Sequence, residues 1–129
     1  MRGRTGTGKT RCLWLLIKKL ILAGHEVRFF DCLAFAHACA REFYSGEGDV
    51  WAEEIAKVQI VAFDDFGKAP FTERAEAELF ALVERRTAHL LPILATLNMS
   101  GAELSAKSSK DRGDPLVRRL KEFCEVVVF

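Results

Sequence analysis

Apolar stretches with helical spacing alternate along the chain with short runs rich in β-branched and aromatic residues. The pattern predicts helices over residues 9–23, 33–44, 72–89 and 114–123, with a shorter helix after Ser100. It predicts strands over residues 26–31, 58–63, 91–96 and 126–129. Because the strands are separated by helices, we expect an α/β fold with a parallel sheet and right-handed crossovers.

Several local patterns refine this prediction. The first helix is apolar on most of its sides, so we expect it to pack against the sheet over much of its surface, and Gly24 ends it. Ser100 and Glu103 have the spacing of a capping box. Asp114 and Pro115 form an N-cap and first-turn pair for the last helix. The polar segment 105–113 before it is expected to be a mobile loop.

Composition and charge exclude some classes of protein. A chain of 129 residues, 50% hydrophobic and 29% charged, is typical of one soluble globular domain, here residues 1–129. The net charge of +1 argues neither for nor against nucleic acid. The four widely spaced cysteines are expected to be buried, reduced thiols. Lys18 and Lys19 interrupt the longest apolar stretch and no leader precedes the first motif, so we expect a cytoplasmic protein that does not cross a membrane.

A glycine-rich motif begins the sequence and fits G-x-x-x-x-G-K-[ST] at every fixed position. Its residues are Gly3, Arg4, Thr5, Gly6, Thr7, Gly8, Lys9 and Thr10. Gly6 and Gly8 allow backbone N–H groups to form an anion nest, and the following helix adds its positive end. Lys9 is suited to the β- and γ-phosphates and the Thr10 hydroxyl to Mg²⁺. The motif alone indicates ATP or GTP, and its alternative is a glycine-rich turn with a solvated lysine.

Two adjacent acids, Asp64 and Asp65, follow the predicted strand 58–63. Because ligands bind at the carboxyl edge of a parallel sheet, both carboxylates are expected to face the phosphate loop. Asp64 is suited to hold Mg²⁺ through water, and Asp65 to orient or polarise an attacking water. The alternative is a solvated turn.

Two further candidate sites lie in the last third of the chain, one after the predicted strand 91–96 and one on the predicted helix 114–123. Asn98 lies just past the predicted strand 91–96, where its amide is suited to contact the γ-phosphate and the lytic water, although asparagine is also a common turn residue. Arg118 and Arg119 lie on the last helix. They are either exposed helix charges or, in an oligomer, arginine fingers for a neighbouring subunit.

The runs VAFDDFGKAPFTERAEAELFALVERR, LPILATLN and DPLVRRLKEFCEVVVF resemble the AAA+ helicase-loader family, which includes DnaC-like proteins and IstB-type transposition ATPases. The resemblance covers nearly the whole chain. It implies a P-loop NTPase fold of the AAA+ ASCE type, with ATP and Mg²⁺ as ligands. It also implies that Asn98 is the sensor-1 residue and that Arg119, rather than Arg118, acts in a neighbour's site. Arg86 matches a basic residue whose role is either structural or at an interface.

The sequence departs from the family pattern at both ends. Family members carry a central strand before the glycine-rich loop, whereas only Met1 and Arg2 precede Gly3 here. The resemblance therefore leads us to expect that the start is either misassigned or truncated, or that the chain is a degraded copy with a gap in its sheet. A helicase-binding segment, a C-terminal lid and a sensor-2 arginine are also expected to be missing.

Three functions are compatible with these residues. The first is ATP hydrolysis in a homo-oligomer that acts in DNA replication or transposition, with a replicative helicase or transposase as partner and single-stranded DNA as a further ligand. The second is an ATP-dependent regulatory switch with little turnover, favoured by an aspartate at Asp65 where glutamate is commoner. The third is a small-molecule P-loop kinase. Candidate DNA contacts are Lys68 and a segment containing Lys107, Lys110 and Arg112, whose alternative is a solvated loop.

Overall fold

Three parallel strands form the sheet of the computed structural model, which describes residues 1–68 and 72–129. The elements within these two ranges are α1 (Lys9–Leu22), β1 (Val27–Asp31), α2 (Cys32–Ser45), α3 (Gly48–Lys57), β2 (Ile60–Asp64), α4 (Glu73–Ala88), β3 (Ile93–Ala95), α5 (Gly101–Lys107) and α6 (Lys110–Phe123). The strand order β1–β2–β3 and the parallel pairing confirm the α/β prediction. Residues 69–71, which belong to the first run that resembles the helicase-loader family, lie outside the described residues.

The register brings the carboxyl ends of the strands to one edge of the sheet. Asp31 at the end of β1 pairs with Asp64 at the end of β2. On the other side of β2, Phe63 pairs with Ala95 at the end of β3. The polar residues that follow β2 and β3 therefore emerge next to each other, which is the arrangement that the sequence predicted.

Both faces of β2 are buried, and its side chains alternate between two hydrophobic clusters. Val61 and Phe63 belong to the larger cluster, which includes residues of α2, α3, α4, α5 and α6. Ala62 points to the opposite face, where it meets Leu13 and Ile17 of α1. A strand buried on both faces explains the continuous apolar run in this part of the sequence.

The prediction that α1 packs over much of its surface is wrong. Its buried residues are spaced four apart, at Lys9, Leu13 and Ile17, and form one narrow stripe. Outside this stripe Leu16 and Leu20 are half-buried, and the other large apolar residues are exposed, with Leu15 55% and Leu22 78% accessible. The reason is that α1 contacts the sheet through one face only, because no second layer covers it within the described ranges.

Helix α3 was missed by the sequence analysis. Gly46 ends α2 in the left-handed conformation, and Gly48 begins α3 only two residues later. Two glycines so close together are typical of a loop, which hid the helical spacing of Trp51 and Ile55 behind them. Both of these side chains contribute to the larger cluster.

The segment 105–113 is helical at both ends, so the prediction of a mobile loop there is wrong. Helix α5 begins with the expected capping box at Ser100 and Glu103 and extends to Lys107. Helix α6 begins at Lys110, more than one turn before the predicted start, and Pro115 lies inside it. The buried carboxylate of Glu76 accepts a hydrogen bond from the Ser109 N–H at 2.6 Å, which stabilises this earlier start.

The predicted last strand over 126–129 forms only one isolated bridge, between Val128 and Arg2. Residues 1–3 lie between two segments and hydrogen-bond to both. On one side they bond to Leu97, and on the other side to Val127 and Phe129. The expected gap in the sheet is thus closed by residues 1–3 at one end.

The rest of the gap remains as a cavity of about 380 Å³ beside β3. Leu16 of α1 lines one side, and Leu104 and Leu120 of α5 and α6 line the other. The amino group of Met1 donates to the Ala95 carbonyl at 2.7 Å, and its burial lowers the pKa of this amino group. Because the N–H and C=O of one strand residue point to the same side, the N–H of Ala95 also faces the cavity.

All four cysteines are free thiols, as predicted, but only Cys32 and Cys39 are buried. Cys12 is exposed and Cys124 is half-buried, so the prediction that all four are buried is wrong. Cys12 lines the open cavity beside β3, one turn before Leu16 on α1. Among the described residues, no helix combines the length and the apolar character needed to cross a bilayer.

Candidate functional site

The glycine-rich loop connects residues 1–3 to α1, and three of its glycines are required by its geometry. Gly6 and Gly8 have φ angles of 85° and 83°, which favour glycine. A Cβ at either position would project into open space, where a ligand has room to approach the backbone. A Cβ at Gly3 would lie 2.7 Å from the carbonyl oxygen of Phe129, so only glycine fits there. The loop therefore leaves open the cradle that a phosphate requires at the beginning of α1.

The side chain of Lys9 folds back onto this loop and is 4% exposed. Its ammonium group donates to the carbonyl oxygen of Arg4 at 2.7 Å and to the hydroxyl of Thr7 at 3.3 Å. The Thr7 hydroxyl in turn donates to the Arg4 carbonyl at 2.9 Å. These two oxygens compensate the charge of Lys9, and Thr5 lines the open side of the same loop.

Thr10 and Asp64 meet at the beginning of α1. The Thr10 hydroxyl donates to Oδ1 of Asp64 at 3.1 Å, and the hydroxyl of Thr96 donates to the same oxygen. Hydroxyl and carboxylate oxygens are the ligands that Mg²⁺ prefers. Within the described ranges no three His, Cys, Asp or Glu side chains cluster into a metal site. Mg²⁺ at Thr10 and Asp64 would therefore take its other ligands from water and phosphate, as is usual for this ion.

Asp65 adopts a left-handed conformation, with φ of 51°, directly after β2. Its N–H donates to the Thr96 hydroxyl at 2.9 Å, which holds this unusual turn. Its Oδ1 accepts from the amide nitrogen of Asn98 at 2.5 Å, and its Oδ2 accepts from the Lys68 ammonium at 2.8 Å. The structure thus brings Asp65 and Asn98 together, as their positions after neighbouring strands predicted.

Thr96 is a site residue that the sequence analysis missed. Its side chain is fully buried and contacts both Asp64 and the backbone of Asp65. A hydroxyl at the carboxyl end of a buried apolar strand was the available signal, because a buried polar group needs a partner. Cys32 supports the same turn, since its sulfur accepts from the Gly67 N–H at 3.1 Å and burial raises the pKa of this thiol.

Several of the residues described above line one open groove of about 630 Å³. Its lining includes Thr5, Gly6, Gly8, Lys9, Thr10, Arg11, Trp14, Asp65, Lys68 and Asn98. The groove joins the glycine-rich loop to the residues that follow β2 and β3. The groove can hold a polyphosphate against the backbone N–H groups and Lys9 on the side of the loop. The carboxylate of Asp65 lines its other side.

Arg119 is not among the residues that line the groove. It lies on α6 and donates to Oε1 of Glu84 on α4 at 2.6 Å, with both side chains partly exposed. Arg118 is more exposed and lies 3.9 Å from Glu122 one turn further along the helix. The structure therefore separates Arg119 from the groove of its own chain.

Arg86 is fully buried at the end of α4. Its guanidinium donates to the carbonyl oxygens of Val58 at 2.7 Å, Gln59 at 2.9 Å and Pro92 at 2.8 Å, and more weakly to two carbonyls near the end of α3. Burial lowers the pKa of Arg86. Of the two roles that the sequence left open, the structure supports the structural one, because Arg86 ties together the segments that lead into β2 and β3.

A glycine-rich loop leading into a helix, beside acidic and amide side chains at the carboxyl edge of a parallel sheet, defines a P-loop domain of the AAA+ class. The chain belongs to the family of IstB-like ATP-binding proteins, whose family model matches residues 1–128. No curated protein sequence matches the chain. The family and the open phosphate cradle together describe an ATP-binding module.

Solved structures with the same fold include proteins of DNA replication. DnaA from Aquifex aeolicus bound to AMPPCP superposes with a TM-score of 0.84 at 21% identity, over 99% of this chain and 38% of that chain. The DnaC helicase loader gives 0.83 at 20% identity, over 99% of this chain and 75% of that chain. Domain III of the replication initiation protein DnaA from Thermotoga maritima gives 0.79 at 20% identity, over 98% of this chain and 51% of that chain. The chain thus spans less than two fifths of the DnaA chain from Aquifex aeolicus.

Proposed function

We propose that this chain is an ATP-hydrolysing AAA+ module of the helicase-loader type, with residues 1–129 as a single ATP-binding core. The observation that carries the proposal is the meeting of Thr10 with Asp64, and of Asn98 with Asp65, beside the open glycine-rich loop. Hydrolysis needs a phosphate cradle, a cation site and a group that orients water. The glycine-rich loop has the residue types for the cradle, Thr10 and Asp64 those for the cation site, and Asp65 and Asn98 those for the orientation of water.

The binding roles follow from the loop. The backbone N–H groups of Arg4, Thr5, Gly6, Thr7 and Gly8 surround the phosphates, and Lys9 leaves the Arg4 carbonyl to reach the β- and γ-phosphates. Gly3 begins the loop, and its N–H donates to the Leu97 carbonyl. Thr10 and Asp64 hold Mg²⁺, which neutralises phosphate charge when it is bound. Because Lys9 already lies within the loop, its movement requires only a change of hydrogen-bond acceptor.

The catalytic roles belong to Asp65 and Asn98. Asp65 accepts a hydrogen bond from water and orients its oxygen toward the terminal phosphate. Asn98 donates to Oδ1 of Asp65 and so fixes the carboxylate plane. The buried Thr96 hydroxyl holds the backbone of Asp65 in the conformation that this requires.

Arg119 acts on a neighbouring subunit in this proposal. The ion pair with Glu84 is partly exposed, and such pairs contribute less than about 1 kcal/mol. Arg119 can therefore exchange Glu84 for the phosphate of an adjacent copy, where a guanidinium stabilises transition-state charge. A homo-oligomer follows from this role, since the groove of one chain is completed by the next.

The proposed partners are a replicative helicase or a transposase and single-stranded DNA. Support comes from the IstB-like family and from neighbours that include the DnaC helicase loader and DnaA bound to AMPPCP and single-stranded DNA. Lys107 and Arg112 lie at the junction of α5 and α6, where they are candidate phosphate contacts, and the side chain of Lys110 lies outside the described part of the structure.

Phosphate release with Mg²⁺ and ATP in excess tests this proposal. We expect turnover that is lost in Lys9→Ala and Asp65→Asn and that is kept in Lys18→Ala, an exposed lysine on α1. Mixing Lys9→Ala with Arg119→Ala chains should restore part of the activity, because each variant supplies what the other lacks. Turnover that persists in Lys9→Ala would contradict the proposal.

A switch without turnover is the second candidate function. The contacts of Asp65 favour this function, because Oδ1 accepts from Asn98 and Oδ2 accepts from Lys68. Both carboxylate oxygens therefore already have a partner other than water. ATP binding without phosphate release, even with single-stranded DNA and a partner helicase present, would favour the switch.

A further inference from the structure

Lys68 lies directly after the turn that contains Asp65, and its ammonium group is 2.8 Å from Oδ2 of Asp65. The Lys68 N–H also donates to the Asp65 carbonyl at 3.0 Å, and Gly67 between them has φ of 82°. This turn fixes the backbone of Lys68 at the edge of the groove, whereas 70% of its side chain is exposed. The long side chain is therefore free to change partners.

The carboxylate of Asp65 favours the charged form of Lys68. The hydrogen bond that the Lys68 ammonium donates to the Asp65 carboxylate, together with the negative charge of Asp65, raises the pKa of Lys68. Lys68 is accordingly a cation at neutral pH. An exposed ion pair of this kind contributes little to stability, so a more highly charged anion competes with Asp65 easily.

Two lysines line the groove, and the ammonium group of each donates a hydrogen bond to an oxygen of the protein. Lys9 donates to the carbonyl of Arg4, and Lys68 donates to the carboxylate of Asp65. Both also line the same groove as Gly6, whose backbone is open to a ligand. A polyphosphate in this groove thus meets one ammonium group from the glycine-rich loop and another from the turn after β2.

We propose that Lys68 binds the γ-phosphate of the nucleoside triphosphate, from the side of the groove formed by Asp65. The exchange of Asp65 for phosphate also frees Oδ2 of Asp65 to accept a hydrogen bond from water. This inference deepens the proposed function and rests on it. It makes Lys68 a residue that distinguishes a nucleoside triphosphate from a diphosphate.

Equilibrium titration with ATP and with ADP, each with Mg²⁺, tests the inference without any need for turnover. Lys68→Met should weaken ATP binding by about tenfold, the effect of one lost hydrogen bond between charged groups, and leave ADP binding unchanged. Lys68→Arg keeps the positive charge and should retain most of the preference for ATP. The matched control is Lys57→Met, which removes a lysine that is 76% exposed and paired with Glu53 on α3.

The possible outcomes are distinct. If the wild-type chain binds ATP and Lys68→Met lowers the affinities for ATP and ADP equally, or lowers neither, the inference about Lys68 is wrong and the proposed function stands. If the wild-type chain binds neither nucleotide, the proposed function fails and the inference fails with it. Since Lys68 is exposed, far-UV circular dichroism is expected to be the same for all three variants.

Discussion

The hydroxyl of Thr10 lies 3.1 Å from Oδ1 of Asp64, although 54 positions separate the two residues in the sequence. The contact joins the first turn of α1 to the carboxyl end of β2. It depends on the parallel register of the sheet, which brings the end of β2 to the edge where the glycine-rich loop lies. The contact is the physical link between the phosphate cradle and the acidic pair.

The first prediction concerns the cation site. Asp64→Asn should weaken ATP binding by about tenfold when Mg²⁺ is present, because a carboxylate ligand is lost, and should have no effect when Mg²⁺ is removed by chelation. Titrations with and without Mg²⁺ measure both values. Asp49→Asn, an exposed acid at the start of α3, is the control and should change neither. An equal loss under both conditions would show that Asp64 acts on the fold instead.

The second prediction concerns Arg86. Arg86→Ala should lower the free energy of unfolding by about 3 kcal/mol or more, because several buried carbonyl groups lose their donor and a cavity remains. Urea denaturation measures this difference. Its neighbour Arg85 is exposed, so Arg85→Ala should change stability by less than about 0.5 kcal/mol. Equal stability of the two variants would rule out the structural role of Arg86.

Several of these relationships could be predicted from the sequence, because they depend on spacing along the chain and on strand order. The glycine-rich loop is contiguous, and Asp64 and Asn98 follow strands whose apolar runs are clear. Thr96 and Arg86 could not be assigned in the same way, because their partners are backbone groups and acids brought close only by folding. The pairing of Lys68 with Asp65 depends on the left-handed turn, which the sequence does not specify.

The errors have a common physical origin in tertiary contacts that override local signals. The early start of α6 depends on the hydrogen bond from the Ser109 N–H to the carboxylate of Glu76, which lies 33 positions earlier in the sequence. The exposed apolar side of α1 depends on the number of layers in the fold, which the helix itself does not encode. Helix α3 was hidden by the two glycines around its start, where local turn chemistry outweighed a short periodic pattern.

The third prediction concerns thiol reactivity. Cys12 is exposed and should react fastest with a thiol reagent at pH 8, so Cys12→Ser should remove the fast phase. Burial raises the pKa of Cys39 to about 12, so Cys39 stays protonated at this pH and should react only after unfolding. Because the folded pKa is raised, this thiol favours the folded state below pH 9 and loses that contribution as the pH rises toward 12. Fast labelling of Cys39 in the native chain would contradict its burial.

The fourth prediction concerns the cavity beside β3. Addition of about five apolar, β-branched residues before Met1 should raise the free energy of unfolding, because they can pair with the backbone N–H of Ala95 and fill the apolar space. A glycine–serine extension of the same length is the control. Amide hydrogen exchange should show protection of Ala95 in the apolar variant alone. Equal stability of the two variants would mean that the cavity does not accept a strand.

The central claim is that the glycine-rich loop binds ATP through Lys9, and isothermal titration of ATP with Mg²⁺ tests it most directly. Lys9→Ala should weaken binding by at least about tenfold, whereas Lys18→Ala, on the exposed side of the same helix, should bind like the wild type. Thermal unfolding of each variant shows that it is folded before titration. If folded Lys9→Ala binds ATP as tightly as Lys18→Ala, the loop is not the phosphate site and the account is contradicted.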